Sequence, residues 1–347
     1  MPFRPSRPAP WLFVVVAAAV LWANAVPVPG GRRFDTLAPI AQLTAMRPLL
    51  TGLALVLAVG WSLAAWRRRW PRAPAVVLLL AAVAAAVQIA PRAVSSAAPG
   101  PEDAPGVTVL TANLLRSVVP PPVLVDLVRR TGADVVTLPE TNATRARQIA
   151  AALTAARGER WIAESDRDAE SPDDDSAGPT SLVVRQALGP VRLTEPPPDP
   201  GAHGQVRIRL SRLSGPDGTA TTAAGPGPKI AAVHPLPPRP GSSQSDWRRD
   251  QLALRRFCRN DWIVGGDLNA TIDHSPLRAV LASGCDDAAA ETGQGLHATW
   301  TAFGIVRPAI DHVLTSGPWR PTSSGVLRIA GSDHRAVWAR IVPRQGR

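Results

Sequence analysis

After residue 106 this chain repeats one pattern: a short apolar run, then a small polar cluster that closes it. The clusters are Thr111-Ala112-Asn113, Pro139-Glu140, Val233-His234-Pro235, Gly265-Gly266-Asp267-Leu268-Asn269, Ile310-Asp311-His312 and Ser332-Asp333-His334. Runs this short and this apolar read as buried strands rather than helices. The polar types that end them are hard-oxygen and imidazole groups, the set that a divalent metal and a phosphate ester require. A common site at strand ends is the economical reading, and it constrains the fold to layered α/β architecture.

The spacing predicts strands at 107–111, 133–138, 181–185, 205–210, 230–233, 261–265, 309–314 and 335–342. Helices are expected over 121–130, 143–156, 245–256 and 275–282, with loops over the acidic stretch 165–178 and the Pro-rich stretch 195–204. Residues 91–106 are rich in Pro, Ala, Gly and Ser and read as an extended linker. The domains implied are a membrane part (1–90), this linker, and a globular part (107–347).

The first part carries three uncharged apolar spans, Trp11–Val28, Pro48–Trp66 and Ala73–Ala90, of 18, 19 and 18 residues. Each reaches the ~18-residue threshold for a transmembrane helix. Arg67, Arg68, Arg69 and Arg72 crowd the turn between the second and third, and Arg4 and Arg7 precede the first. Basic loops stay cytoplasmic, so three crossings from an inside start put the globular part outside the cell membrane. The net charge of +11 therefore does not signal nucleic-acid binding: residues 1–96 hold ten Arg and one Asp, and the rest hold 28 basic against 26 acidic residues. The two cysteines, Cys258 and Cys285, are equally readable as a disulfide or as buried thiols.

Taken singly, each polar cluster is an ordinary cap at a strand end; taken together, they define roles. Glu140 is the first-choice metal ligand, with Asn113 offering a neutral oxygen beside it and Asp333 a further carboxylate. If residues 267–269 stay extended, Asp267 and Asn269 share one face. The paired glycines would then let a phosphate approach the backbone. Asp267 would orient or deprotonate water, and Asn269 would donate to a nonbridging oxygen. His234 would contact the phosphate in the transition state. His334 suits a proton carrier or an electrostatic partner, its tautomer held by Asp311 or Asp333. In an extended strand Asp311 and His312 point to opposite sides, so Asp311 is assigned to the site and His312 to the structure. His203, His274 and His297 sit in loop-like sequence and are expected to take no part.

The order TANL, PE, VHP, GGDLNA, IDHVL and SDHRAV, over roughly residues 107–343, resembles the endonuclease/exonuclease/phosphatase superfamily. The resemblance implies a four-layer α/β/β/α sandwich, here preceded by three transmembrane helices. It also implies Mg²⁺ or Mn²⁺ near Glu140 and Asn113, phosphate contacts from His234 and Asn269, a catalytic Asp267, and an Asp311/Asp333–His334 pairing. Pro139 departs from the family, which often has Gln before the acidic ligand. The membrane architecture further resembles the VanJ-type membrane phosphatases linked to teicoplanin resistance. That implies a polyprenyl pyrophosphate-like lipid substrate.

The leading expectation is a membrane-anchored, metal-dependent phosphoesterase acting on a phosphorylated, lipid-linked substrate at the outer face. An extracytoplasmic nuclease or phosphodiesterase is the alternative. Nucleic acid is disfavoured as a partner by the near-neutral globular part and the absence of Tyr. A non-catalytic scaffold would be expected to have lost Glu140, Asp267 or His334, and all three are present. The sequence is silent on oligomeric state.

Overall fold

The structure, a computed structural model, describes residues 10–68, 71–97, 104–166, 178–189, 192–193, 205–214, 220–222, 227–239, 242–301, 304 and 306–344. Most of the expected acidic loop, all of the Pro-rich loop and the middle of the expected linker lie outside these residues. The chain divides into two units, residues 1–91 with 273–275, and residues 92–272 with 276–347.

In the first unit, helices α1 (Pro10–Leu21), α2 (Ile40–Ala45), α3 (Arg47–Arg68) and α4 (Ala73–Ile89) follow one another. Ala54, Ala58, Leu78 and Ala82 pack with Val14 and Leu21, so small residues let the helix backbones approach. Outward-facing Val56, Leu80 and Val87 are each more than 60% exposed, an apolar surface that water would penalise. Two helical stretches, Arg47–Arg67 and Ala73–Ala93, are long and apolar enough to cross a membrane. The first expected span is not confirmed as a third: among the described residues its helix runs from Pro10 to Leu21, 12 residues or about 18 Å, against the ~30 Å of a bilayer core. Beyond Asn24, residues 27–28 and 32–33 pair as a short hairpin instead.

Among the described residues, the second unit holds a two-stranded ribbon, Arg212–Ser214 with Ala220–Thr222, and twelve strands in two larger sheets. They are β1 (Val107–Thr111), β2 (Val135–Leu138), β3 (Trp161–Ser165), β4 (Ser181–Arg185), β5 (Arg192–Leu193), β6 (Gln205–Arg209), β7 (Lys229–Val233), β8 (Trp262–Asp267), β9 (Cys285–Asp287), β10 (Asp311–Ser316), β11 (Trp319–Arg328) and β12 (Arg335–Pro343). One six-stranded sheet runs β11-β12-β1-β2-β4-β3 and the other β9-β10-β8-β7-β6-β5. Each holds one parallel pair, β1 with β2 and β7 with β8; the other neighbours are antiparallel. A parallel pair needs a crossover, and here it is a helix each time: α5 (Pro121–Thr131) and α7 (Ser242–Ala253).

Val107, Val109, Val135, Leu182 and Val184 of one sheet meet Ile208, Ile230, Ala232, Ile263 and Val313 of the other, forming the central core. Burying each of the Val, Leu and Ile side chains contributes about 1.5–3 kcal/mol. On the outer face of the first sheet, Leu110, Val136 and Val183 pack against α5 and α6 (Ala143–Arg157). On the outer face of the second, Ala231, Val233 and Val264 pack against Trp247 of α7 and Leu277 and Val280 of α8 (Ser275–Leu281). Strands buried on both faces read as unbroken apolar runs, which is why they are visible in the sequence. The layers are thus α/β/β/α.

Three findings depart from expectation. Strand β11 carries Pro321, Ser323, Ser324 and Gly325 and had no strand signature; it lies at a sheet edge, where a missing N–H is tolerated, and is irregular between Pro321 and Ser323. The expected linker is not free throughout, since Ser96 N donates to Glu291 O (2.8 Å) and Ser95 bridges Thr292. Finally, the paired glycines serve packing rather than phosphate approach. A Cβ on Gly265 would lie 2.5 Å from Thr137 Oγ1 of the facing sheet, and one on Gly266 would lie 1.9 Å from the Val233 carbonyl oxygen.

The Val233 carbonyl is backbone held in a ladder and cannot retreat. Gly266→Ala is therefore expected to destabilise the protein by about 1–3 kcal/mol or more, read as a lower urea midpoint; an unchanged midpoint would contradict the close approach. Cys258 and Cys285 are joined, with Cα atoms 4.7 Å apart and a sequence separation of 27. Loop closure of that length predicts a loss of about 3–4 kcal/mol on reduction, measurable by denaturation with and without thiol.

Candidate active site

All four parallel strands end at the same end of the sandwich, and each delivers one or more polar residues there. Asn113 follows β1, Glu140 follows β2, His234 follows β7, and Asp267 ends β8 with Asn269 just beyond. Two antiparallel strands start at that end: β10 opens with Asp311, paired in register with Asp267, and His334 immediately precedes β12.

Asp267 lies at the centre, 2% exposed. Its Oδ2 accepts from Asn113 Nδ2 (3.1 Å) and its Oδ1 from the Asn269 backbone N–H (2.8 Å). The same Oδ2 is 3.6 Å from His234 Nε2 and 3.7 Å from His334 Nε2. Asn113 Nδ2 also donates to Glu140 Oε1 (2.9 Å), so one amide ties the two carboxylates together. Glu140 Oε2 accepts from the Arg116 N–H (3.1 Å). Behind Asp267, His334 Nδ1 meets Asp311 Oδ2 at 2.9 Å.

The charges follow from these contacts. Burial works to raise the Asp267 carboxyl, but the His334 charge, the His234 contact and the Asn269 N–H overcome it and hold it down at about 2. Burial works to lower the His334 imidazole, and the charges of Asp311 and Asp267 push it up to about 10 instead. His234 is likewise raised against its burial, by Asp267 and Glu140. At neutral pH an ionised Asp267 therefore faces a protonated His334.

Two buried atoms here lack a hydrogen-bond partner among the described residues, His234 Nδ1 and Asp311 Oδ1. Two triads bring ligand atoms within 4.8 Å of one another: Glu140, His234 and Asp267, and then Asp267, Asp311 and His334. Carboxylates held this close, one of them partly open to solvent, fit a hard divalent cation that keeps places for water and phosphate oxygens.

The structure therefore brings together Asn113, Glu140, His234, Asp267, Asn269, Asp311 and His334. Asp333 stands apart: it is exposed, and its Oδ2 accepts from Trp300 Nε1 (2.8 Å). Adjacent residues in an extended chain face opposite ways, so once His334 points inward, Asp333 points out. Of the two carboxylates open as partners for His334, the one in contact is Asp311. Asn113 turns its oxygen to the Leu115 N–H (2.9 Å), so it enters as a bridging donor rather than by the expected oxygen. Residues 267–269 are not extended; Asn269 is left-handed (φ 50°) and reaches the site through a turn capped by Asp267. His312 lies on the opposite face from Asp311, against Asp287. His274 and His297 lie outside the cluster, and His203 is outside the described residues.

Two contributors had no sequence signal: Thr299 Oγ1 accepts from the Asp311 N–H (2.9 Å), and the Trp300 ring lies 6.3 Å from that of His334. Ser332 lies in one of the polar clusters but had no role assigned; its Oγ donates to the Asn113 carbonyl (3.0 Å). Their partners are distant in sequence, so only the fold reveals them.

The model of the Endonuclease/Exonuclease/phosphatase family matches residues 110–334, and the chain belongs to that family. No curated protein matches the chain in sequence. Among solved structures it is similar to an endonuclease/exonuclease/phosphatase from Beutenbergia cavernae (16% identity, 69% of this chain and 72% of that one, TM-score 0.51). It is also similar to the human Nocturnin catalytic domain with bound sulfate (16%, 69% and 94%, TM-score 0.46) and to D. rerio TDP2 complexed with single strand DNA product (15%, 68% and 98%, TM-score 0.47).

A raised imidazole stabilises the fold fully below its unfolded value near 6.5, and that contribution is lost as pH rises through about 10. In chelator-treated protein, the stability gap between wild type and His334→Leu is expected to be widest near pH 6 and to close above pH 10. Urea midpoints across that range check it, and a gap that widens with pH would refute the Asp311–His334 assignment.

Proposed function

We propose that this protein is a membrane-anchored, metal-dependent phosphoesterase that hydrolyses a phosphate or pyrophosphate ester of a lipid-linked, polyprenyl-type substrate at the outer membrane face. Membership of a family of phosphoester hydrolases supports the coarser part of this reading. The observation that carries it is the convergence of Glu140, Asp267, Asp311 and His334 on one another from four strand ends.

In this reading Asp267, kept ionised, orients the attacking water and takes its proton as the new P–O bond forms and the bond from phosphorus to the leaving oxygen breaks, that oxygen departing with the electron pair. His334, kept protonated by Asp311, faces the oxygen on which negative charge grows and stabilises it. Asn269 and His234 donate to nonbridging oxygens; the Asn269 amide is already aimed by its bond to the Pro235 carbonyl (3.0 Å). Glu140, with Asp267 alongside, would hold Mg²⁺ or Mn²⁺. That ion would supply Lewis-acid stabilisation of the phosphate oxygens.

The lipid part of the proposal rests on two features. Two helices have the length and apolarity to span a bilayer. Leu115 and Val118, on the turn that wraps Glu140, are 37% and 63% exposed beside Arg116, an apolar rim with a cation that suits an amphiphilic phosphate. The outer location is supported by the Arg67–Arg72 turn between α3 and α4. A basic turn on the cytoplasmic side leaves both flanks outside, whether or not α1 also inserts. The Cys258–Cys285 disulfide is consistent with that compartment.

Purified full-length protein should hydrolyse a polyprenyl pyrophosphate with Mg²⁺, lose activity in EDTA, and show much weaker turnover of duplex or single-stranded DNA. Glu140→Ala should cost at least about 100-fold in kcat with the circular dichroism unchanged. Selective DNA cleavage would replace the substrate class with nucleic acid, and full activity in Glu140→Ala would remove it from the metal site.

A further inference from the structure

The turn that carries Asn269 is gripped from behind in an unusual way. Three consecutive backbone carbonyls each accept a hydrogen bond from a buried side-chain N–H. Gln251 Nε2 donates to Leu268 O, Trp247 Nε1 to Asn269 O (3.0 Å), and His312 Nε2 to Ala270 O (2.9 Å). Trp247 and Gln251 are fully buried and His312 is 3% exposed.

The donors come from two elements. Trp247 and Gln251 stand four residues apart on α7, hence on one helix face. His312 comes from β10, where it follows Asp311; the strand's alternation sends Asp311 to His334 and His312 to the turn. The Ala270 carbonyl can only accept, so His312 Nε2 carries a proton. The other ring nitrogen faces Asp287 Oδ2 at 2.6 Å, which also can accept a proton. Asp287 is itself anchored, its Oδ1 capping the Ala290 N–H (2.8 Å).

The grip matters because Asn269 is a non-glycine residue in the left-handed region (φ 50°). Such a conformation persists only when the surroundings over-determine it. Helix α7 also reaches the neighbouring loop: Asp250 Oδ2 accepts from the Leu236 N–H (3.3 Å), next to the Pro235 carbonyl that holds the Asn269 amide. The same helix therefore sets both the turn and the acceptor that aims its side chain.

We propose that Trp247, Gln251 and His312 are positioning residues, a three-donor clamp that holds the 268–270 carbonyls and through them fixes how Asn269 faces the reacting phosphate. None of the three touches substrate. The proposal rests on the hydrolase reading for its kinetic consequence, and on the turn geometry alone for its structural one.

The test uses full-length protein, Mg²⁺ and p-nitrophenyl phosphate esters alongside the polyprenyl pyrophosphate. Trp247→Phe keeps the ring and removes the N–H; Gln251→Met keeps length and removes the donor; His312→Phe removes the donor and His312→Gln keeps one. Each donor-less variant is expected to lower kcat about tenfold, the effect of one lost hydrogen bond, with KM within about twofold. His312→Gln should recover most of that loss. In an Asn269→Ala background, Trp247→Phe should add almost nothing, because the residue through which it acts is gone. An equal loss in both backgrounds, or a change in KM alone, would overturn the kinetic role.

Hydrogen–deuterium exchange over residues 267–271 reads the clamp without any turnover. Faster exchange there in Trp247→Phe, with the global urea midpoint little changed, is expected; unaltered exchange would overturn the clamp. Should wild type prove inactive on every ester while the turn still loosens in the variants, the hydrolase reading fails and the clamp stands. Should His312→Phe not fold, Trp247→Phe and Gln251→Met carry the test.

Discussion

The buried carboxylate of Asp267 is the contact on which the rest of the site depends. It accepts from Asn113 and from the Asn269 N–H, and it faces both His234 and His334. An ionised group that deep costs several kcal/mol unless its lone pairs are filled and opposite charge lies near. Both conditions are met, each by residues from a different strand. The fold has to bring β1, β7, β8 and β12 to one end before that carboxylate can remain charged.

The two helical crossovers explain how this happens. A parallel pair joined by a helix leaves both strands ending on the same side, and the protein has one such pair in each facing sheet. Packing the sheets face to face then sets four strand ends around a single point. Gly265 and Gly266 let β8 sit close enough to β7 and to Thr137 of the other sheet for the ends to meet. The backbone records the effort. Among the described residues, the non-glycine positions with positive φ are Leu115, Arg116, Ser117, Glu140 and Asn269, all in the loops that form the site. Strain gathered there is held by surrounding hydrogen bonds, as the Arg116 and Ser117 N–H groups on Glu140 illustrate.

The first unit follows a different rule. Its helices bury Ala54, Ala58 and Ala82 with Val14, Leu21 and Leu78, and present larger apolar side chains such as Val56, Leu80 and Val87 outward. The first helix also shows the limit of counting apolar residues: the run Trp11–Val28 is uncharged throughout, yet the helix ends at Leu21, ahead of Asn24 and Pro27.

Composition and period alone determined the strands that are buried on both faces, the helices between them, and the residue types at the strand ends. Those are local properties: burial on two sides demands apolar side chains, and a charged or amide group can follow only where the strand leaves the core. Tertiary structure decided what locality cannot. It chose Asp311 over Asp333 for His334, turned Asn113 into a bridge, gave the glycines to packing, revealed β11 at an edge, and set Trp247, Gln251 and His312 behind Asn269. Each of those contacts joins residues distant in sequence or depends on which way a side chain faces once two sheets have closed, and that is settled by packing rather than by neighbours along the chain.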